Sequence, residues 1–452
     1  MFPCVCGRRF GSEAALTQHQ TDRDRATRGR APCRPSSGMA SSLPNLERSS
    51  AGTAARTGNT HPPFPRNINA SKNAWLWKKM RNPAEPVYTI TQTGIVPSDT
   101  QVSSKAGYQL LCSYNWQEGK PARIRVPGYA AIWKGVTLPL TISPDEGTFF
   151  IDQNTALMPQ HPFEPMFRAA AAMGRDVSFD DVDVVTNRNS LRKLLDFCSP
   201  RSQESFRLHL HLVRDTLIIE RCEKHTREFV AGSTRGWGRN FEKASTAFPP
   251  NLTESHGHHR TLRYALGALE CAVQFEVDAS FDPDYDEPAA SKEPDVLGLA
   301  MEKLSIQAPK PATDNGARDL QVETAYRGAR VMSQSTAAEI KSAAKTRPLG
   351  WRMPQLWFGR TPWLIVGQHA DGTFHDVKVT DAAAHFAEWE ATHQTALRKL
   401  AAVLGELRAA VRGNGGRRCA AVFEKGSGAI RVFDLTSDGQ AVPRDLREKL
   451  WT

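Results

Sequence analysis

The sequence has no run of about eighteen apolar residues, the length a membrane-spanning helix needs, which argues against a helical membrane protein. Its first ten residues, MFPCVCGRRF, lack the charged-then-apolar layout of a secretory signal. The expectation is a soluble protein of the nucleus, the cytoplasm or both. Cysteine is sparse, eight in 452 residues, and Cys112, Cys198, Cys222, Cys271 and Cys419 are scattered without framework spacing. That speaks against a disulfide scaffold and for buried thiols in a reducing compartment. No internal repeat is visible. The run Asp180-Asp181-Val182-Asp183 lacks the wider spacing, helical setting and second copy of an aspartate-rich diphosphate-binding motif, so prenyl-transfer chemistry has no support.

Acidic charge is also in deficit, the formal net charge being +10. Residues 1–60 hold nine Lys or Arg against four Asp or Glu, and residues 282–329 hold five against ten. The two imbalances cancel, so the remainder carries the full +10. A basic body suits a polyanionic partner, because each neutralised phosphate releases counterions. The bland alternative is ordinary solubility charge.

Two segments have little to bury. Residues 35–72 are rich in Ser, Pro, Gly and Thr and are expected to be a disordered linker, since so little apolar surface cannot offset the entropy of ordering. Residues 282–330 are acidic and rich in Pro and Ala, and are expected to be a disordered insertion. The division is then a zinc-finger-like segment at 1–34, the linker, and a catalytic domain built from 73–281 and 331–452. Within that domain the stretch from Asn189 or Ser190 through Cys198 has helical spacing and a polar cap, whereas Phe206, Leu208, Leu210 and Leu212 alternate as in a half-buried strand that turns at Arg214-Asp215. Strands are predicted at TLRYALGALECAVQFEVD, TPWLIVGQ and TFHDVKVT, a long amphipathic helix over about 382–411, and a closing hairpin at CAAVFEKGSGAIRVFDL. The fold class expected is α+β, a mixed and largely antiparallel sheet flanked by helices.

Two triplets carry chemistry: Glu276-Val277-Asp278 and Glu339-Ile340-Lys341. In a strand, residues two apart point to one face, so each triplet delivers a pair of charges to one side. Neighbouring strands of this kind would bring three carboxylates and an ammonium together. Hard oxygen ligands of that sort hold magnesium or manganese, and a lysine can orient the attacking water. Any single such triplet is common, and AAEIKSAAKTR has helical rather than strand propensity, so the second triplet reads as either.

With these triplets in view, the sequence resembles the DXO-like decapping nucleases, whose core is of the PD-(D/E)xK type. VVTNRNSLRKLL is similar to that family's segment with Arg188 in the arginine position, GWGRNFE to its glutamate motif with Glu242, and the two triplets to its paired acidic motifs. PQLWFGRTPWLIVGQHADGTF is similar to the last motif when Pro362 and Gly367 are aligned, which puts Gln355 in the glutamine position. The resemblance spans about 130–435. It implies that Glu242, Asp278 and Glu339 ligand two magnesium or manganese ions, with Glu276 assisting. It further implies that Lys341 orients the nucleophilic water while Gln355 and Arg188 hold phosphates. The implied activity is hydrolysis at RNA 5′ ends, removing incomplete or non-standard caps such as a nicotinamide dinucleotide, with 5′-3′ exoribonuclease action and an exoribonuclease partner as further implications. A protein that binds RNA without turnover is the alternative. Glu242, Asp278, Glu339 and Lys341 are all present, which favours the enzyme.

Three other features compete for a role. Cys6, Phe10, Leu16 and His19 have the internal spacing of a C2H2-like zinc finger, with Cys4 one residue too close, Arg at 23 and Cys33 as a distant fourth ligand. A zinc site and a degenerate remnant both fit. His256, His258 and His259 read as an exposed polar loop rather than a metal tract. Trp75 and Trp77, near Lys78, Lys79 and Arg81, either stack on bases or pack on the core.

Overall fold

The computed structural model describes residues 2–3, 9–10, 73–174, 177–199, 201, 203–234, 236–281, 320–324, 331–437 and 439–452. Two compact units divide the chain, Met1–Pro65 and Arg66–Thr452. In the first, Phe2–Pro3 pairs antiparallel with Arg9–Phe10. Cys4, Cys6, His19 and Cys33 of the zinc-finger-like motif lie outside the described residues, as do the expected linker at 35–72 and residues 282–319 and 325–330 of the expected insertion.

In the second unit, the elements that build the site are, in chain order, strands β1 (Gln109–Gln117) and β2 (Val184–Asn187), and helices α1 (Arg188–Phe197) and α2 (Gly238–Ser245). Strands β3 (Ser255–Leu266), β4 (Leu269–Glu276), β5 (Ala279–Ser280) and β6 (Ala337–Ala343) follow. Helix α3 (Met353–Phe358), strands β7 (Trp363–Ala370) and β8 (Thr373–Asp381), and helix α4 (Phe386–Gly413) complete the set.

Among the described residues, β1 to β4 belong to an eleven-stranded sheet and β5 to β8 to a seven-stranded one. Pairing is mostly antiparallel, as in β3 with β4, while β2 runs parallel to β4, and β6 parallel to β7. The fold is thus the mixed, largely antiparallel α+β architecture expected. The turn Asp371-Gly372 between β7 and β8 has both residues at positive φ (46° and 89°), the backbone a two-residue hairpin requires.

Helix α1 shows why the local sequence folds as it does. Asn187 accepts a hydrogen bond from the Ser190 backbone N–H at 2.8 Å, satisfying one of the free donors of the first turn. This corrects the cap expected at Asn189 or Ser190. Leu191, Leu194 and Leu195 fall on one face and are fully buried, each stabilising by about 2 kcal/mol. They join Leu356 and Trp357 of α3 and Leu400 and Leu404 of α4 in a core beneath the large sheet. A second core centres on Tyr114, Trp116, Phe167, Phe179 and Trp451, and a third, on the smaller sheet, on Phe241, Ile340, Ile365 and Phe374.

Three further expectations change, and one open alternative is decided. The strand Phe206–Val213 is buried on both faces rather than half-buried, because Arg207 reaches from its far face to the Leu76 and Lys78 carbonyls at 3.0 and 2.7 Å. Trp75 and Trp77 pack against the core that contains Leu76, and Trp77 meets Phe433 edge-on at 5.5 Å, so their packing role holds. The histidines are not a loop: they lie in β3, where His258 and His259 are buried. Finally, Gln321–Thr324, drawn into the insertion on composition, forms a strand parallel to Arg123–Val126 with Leu320 and Val322 packed on the second core. No helix among the described residues is long and apolar enough to cross a membrane.

Candidate active site

The two acidic triplets meet because the chain changes sheets between them. Strand β4 ends at Glu276, and after Val277 and Asp278 the chain enters the smaller sheet as β5, which pairs antiparallel with β6 through Ala279 opposite Ala338. Continuing that register sets Asp278 beside Glu339. Its Oδ2 accepts the Ile340 backbone N–H at 2.9 Å. The helical propensity of AAEIKSA loses to this pairing and to that with β7, since β6 sits between two strands with Ala337, Ala338 and Ile340 buried.

Glu339 and Lys341, two apart on β6, share one face. The Lys341 ammonium bonds Glu339 Oε1, the Ile340 carbonyl at 2.9 Å and Asp278 Oδ2 at 3.5 Å. Glu339 is only 2% exposed, a burial a carboxylate tolerates only when paired. Its other partners are Gln355 Nε2 from α3 and the Arg188 guanidinium at 3.3 Å from the first residue of α1. Gln355 in turn accepts from Arg192 at 3.3 Å. Close approach is built in where Gly359 faces Arg188, since a Cβ there would stand 3.2 Å from the guanidinium.

Glu242 comes from α2. That helix seats against β7 because Gly367 has no side chain: a Cβ there would fall 2.4 Å from Phe241 Cζ. Phe241 then stacks on Phe374 of β8 at 4.3 Å. Asp278, Glu339, Lys341, Arg188 and Gln355 are therefore joined by hydrogen bonds, whereas Glu242 and Glu276 border them through charge alone.

The electrostatics follow from this crowding. Burial, reinforced by the charge of Asp278 and then Glu276, holds the Glu242 carboxyl well above the usual range. Burial and the charge of Asp278 push Glu276 up to about 7. Burial and Glu339 push Asp278 up to about 6, with Lys341 opposing. Burial would raise Glu339 too, but Lys341 and Arg188 outweigh it and leave the carboxyl below its ordinary value. Glu276 lies at the wall of an open cleft, so protein surrounds it while its surface still meets solvent.

That cleft, of about 230 Å³, is lined by Arg188, Arg192, Arg221, His259, Glu276 and Gln355 among others. Arg192 and Arg221 were not singled out in the sequence. The signal for Arg192 was its position four residues after Arg188, which puts both on one helix face. His259, read in the sequence as part of an exposed polar loop, also lines this cleft. Burial holds it down at about 3, so it is neutral at pH 7, stacked on Tyr114 at 5.1 Å and hydrogen-bonded with Gln153 at 3.0 Å.

The donor set suits a divalent metal. Carboxylates whose charges raise one another's pKa form a site that a dication relieves, and their hard oxygens are the ligands magnesium and manganese take. Among the described residues no three His, Cys, Asp or Glu side chains are already gathered about one point as a metal would hold them. The Lys341 ammonium is the counter-charge between Glu339 and Asp278.

Comparison with known proteins agrees with the architecture. No curated protein matches the sequence. Rai1 from Scheffersomyces stipitis, in complex with 3′-NADP+ and a calcium ion, is similar in structure with a TM-score of 0.52 at 11% identity, over 80% of this chain and 99% of that one. The same protein without these ligands gives 0.50 at 11% identity over the same shares. Candida albicans Rai1, in complex with pU5 and Mn2+, gives 0.49 at 11% identity, over 80% of this chain and 98% of its own. At this identity the likeness concerns the fold alone, which this chain shares with the S. stipitis Rai1 protein. The sequence pattern described as Domain of unknown function (DUF8563) matches residues 85–451, nearly the whole second unit, and the chain belongs to that family.

Proposed function

We propose that this chain is a divalent-metal-dependent nuclease that hydrolyses a phosphodiester or pyrophosphate linkage at RNA 5′ ends, releasing incomplete or non-standard caps such as a nicotinamide dinucleotide. The observation that carries the reading is the buried Glu339, bonded at once to Lys341, Gln355 and Arg188 beside an arginine-lined cleft. A carboxylate, an ammonium and a guanidinium at one spot suit a centre where negative charge develops on phosphoryl oxygens. The calcium and dinucleotide described with the S. stipitis protein support the same assignment.

Glu242, Asp278 and Glu339 would hold the metal, Glu276 assisting directly or through water, and a bound dication would supply Lewis acidity and an activated water. Lys341 orients that water through its ammonium. Arg188, Arg192 and Gln355 hold the phosphates, Arg188 as a fork and Gln355 as an amide donor. In the reaction a water oxygen bonds to phosphorus, the bond to the leaving oxygen breaks, and that oxygen takes up a proton. Trimming of the exposed strand from its 5′ end, action in nucleus or cytoplasm, and an exoribonuclease partner are parts of this proposal.

End-labelled RNAs with a 5′ triphosphate, an unmethylated cap or a nicotinamide cap should lose the label in magnesium or manganese with the natural chain, and keep it with Glu339→Ala. RNA that is bound but never processed with any divalent ion would assign the cleft to a non-catalytic RNA-binding protein.

A further inference from the structure

Just ahead of the helix that carries Gln355 stands an aromatic group the chemistry does not use. Trp351 is 70% exposed, although burying an indole is among the largest gains a side chain offers. It ends the short 3-10 turn Leu349–Trp351, and the turn is well held: Trp351 N–H donates to the Pro348 carbonyl at 3.2 Å, Arg352 N–H to that of Leu349 at 2.8 Å, and Leu349 packs against the main core. The indole makes no hydrogen bond or ring contact with any described residue. A fixed backbone with a bare ring is a different matter from a loose loop.

The surroundings specify the partner. Between Ala343 and Phe358 the chain has Lys345, Arg347 and Arg352 and no acidic residue. Residues 344–348 are exposed, and a Cβ on Gly350 would meet nothing within 4 Å, so the space beside the ring is open. The turn runs directly into α3, whose Gln355 lines the cleft and bonds Glu339, so the ring stands one helical turn before the cleft wall. A flat apolar ring with cations on either side matches the alternation of base and phosphate along a single strand, where stacking is indifferent to sequence and the arginines track the backbone. A protein partner would be better matched by a contiguous apolar patch with mixed charge.

We propose that Trp351, flanked by Arg347 and Arg352, is a stacking platform for an unpaired nucleobase of the RNA strand leading from the cleft. The proposal rests on the nuclease reading above and adds to it a site for the body of the RNA rather than its 5′ end.

The test uses the full chain and 5′-phosphorylated RNA of one and of six nucleotides, with binding followed by fluorescence anisotropy without added metal and turnover followed with Mn2+. Trp351→Ala should weaken binding of the hexanucleotide about ten-fold and leave that of the mononucleotide unchanged. Trp351→Phe should recover most of the affinity, and Arg347→Ala should flatten the salt dependence. On turnover the loss should appear in KM rather than in kcat. Equal losses for both lengths, or a hexanucleotide bound as tightly by Trp351→Ala as by the natural chain, would overturn the platform. If in that case the natural chain still turns the RNA over, only the platform falls. A natural chain that neither binds nor cleaves the hexanucleotide removes the nuclease reading and the platform together.

Discussion

Replacing Lys341 by alanine removes the ammonium that stands between the buried Glu339 and the half-buried Asp278. Taking one partner from a buried ion pair costs about 3–5 kcal/mol, mostly because a charge is left without compensation. Two features of this site bring the figure down. The Lys341 side chain is 34% exposed, so solvent screens part of its interaction, and Glu339 keeps Arg188 and Gln355. Among the described residues Asp278 keeps the Ile340 N–H as its one hydrogen-bond donor. The expected loss is about 2 kcal/mol at pH 7, a fall in Tm of about 2–3 °C for a body of this size. Magnesium should return most of it, because a dication replaces the lost counter-charge. The assay is thermal unfolding of both proteins with and without 5 mM-scale divalent metal, a concentration of the order that saturates weak carboxylate sites. RNA turnover should vanish in the variant while affinity for RNA stays nearly unchanged, since the ammonium acts where charge develops. A variant as stable as the natural chain, indifferent to metal, would refute the reasoning.

The other predictions concern protons, packing and phosphate. Asp278 and Glu276 titrate at about 6 and about 7 in the folded chain, against about 4 for unfolded carboxyls. The folded state therefore binds protons more tightly, so the stability these groups contribute is fully present below about pH 4 and lost as pH rises through 6 to 7. Stability in chelator should fall across that window, manganese should remove the fall, and calorimetry near pH 6 in two buffers should detect protons released on metal binding. Gly367→Ala should cost about 1–3 kcal/mol through the clash with Phe241 and impair turnover by shifting Glu242, visible as a lower Tm together with a lower kcat. Arg188→Ala should weaken RNA binding as well as rate, unlike Lys341→Ala, because the guanidinium engages phosphate before reaction. An effect on kcat alone would place Arg188 elsewhere.

Much of this site was legible because its chemistry comes in short strand motifs. Glu339-Ile340-Lys341 and Glu276-Val277-Asp278 needed only the two-residue period of a strand to present their charges together. What the motifs did not carry was the crossing from one sheet to the other between Glu276 and Ala279, which is what creates the gap where Asp278 meets Glu339. Arg221 stayed hidden because it sits in a strand whose two faces are both covered, so alternation does not tell which face meets a cleft. His258 and His259 looked like solvated loop residues because three histidines in four positions are polar, and only the pairing of β3 with β1 and β4 buries them. Gln321–Thr324 looked like more of an acidic, Pro-rich stretch, and its strand depends on a partner nearly two hundred residues earlier in the sequence. Local composition has no access to such distant pairing.

The central claim is that these carboxylates hold the metal that makes the chain a nuclease, and a metal titration of single-turnover cleavage tests it most directly. With nicotinamide-capped, end-labelled RNA and excess protein, the rate should be zero in chelator and rise to a plateau with Mn2+, while Glu339→Ala stays at zero at every concentration. Cleavage that persists in chelator, or that Glu339→Ala performs at the natural rate, would contradict the account.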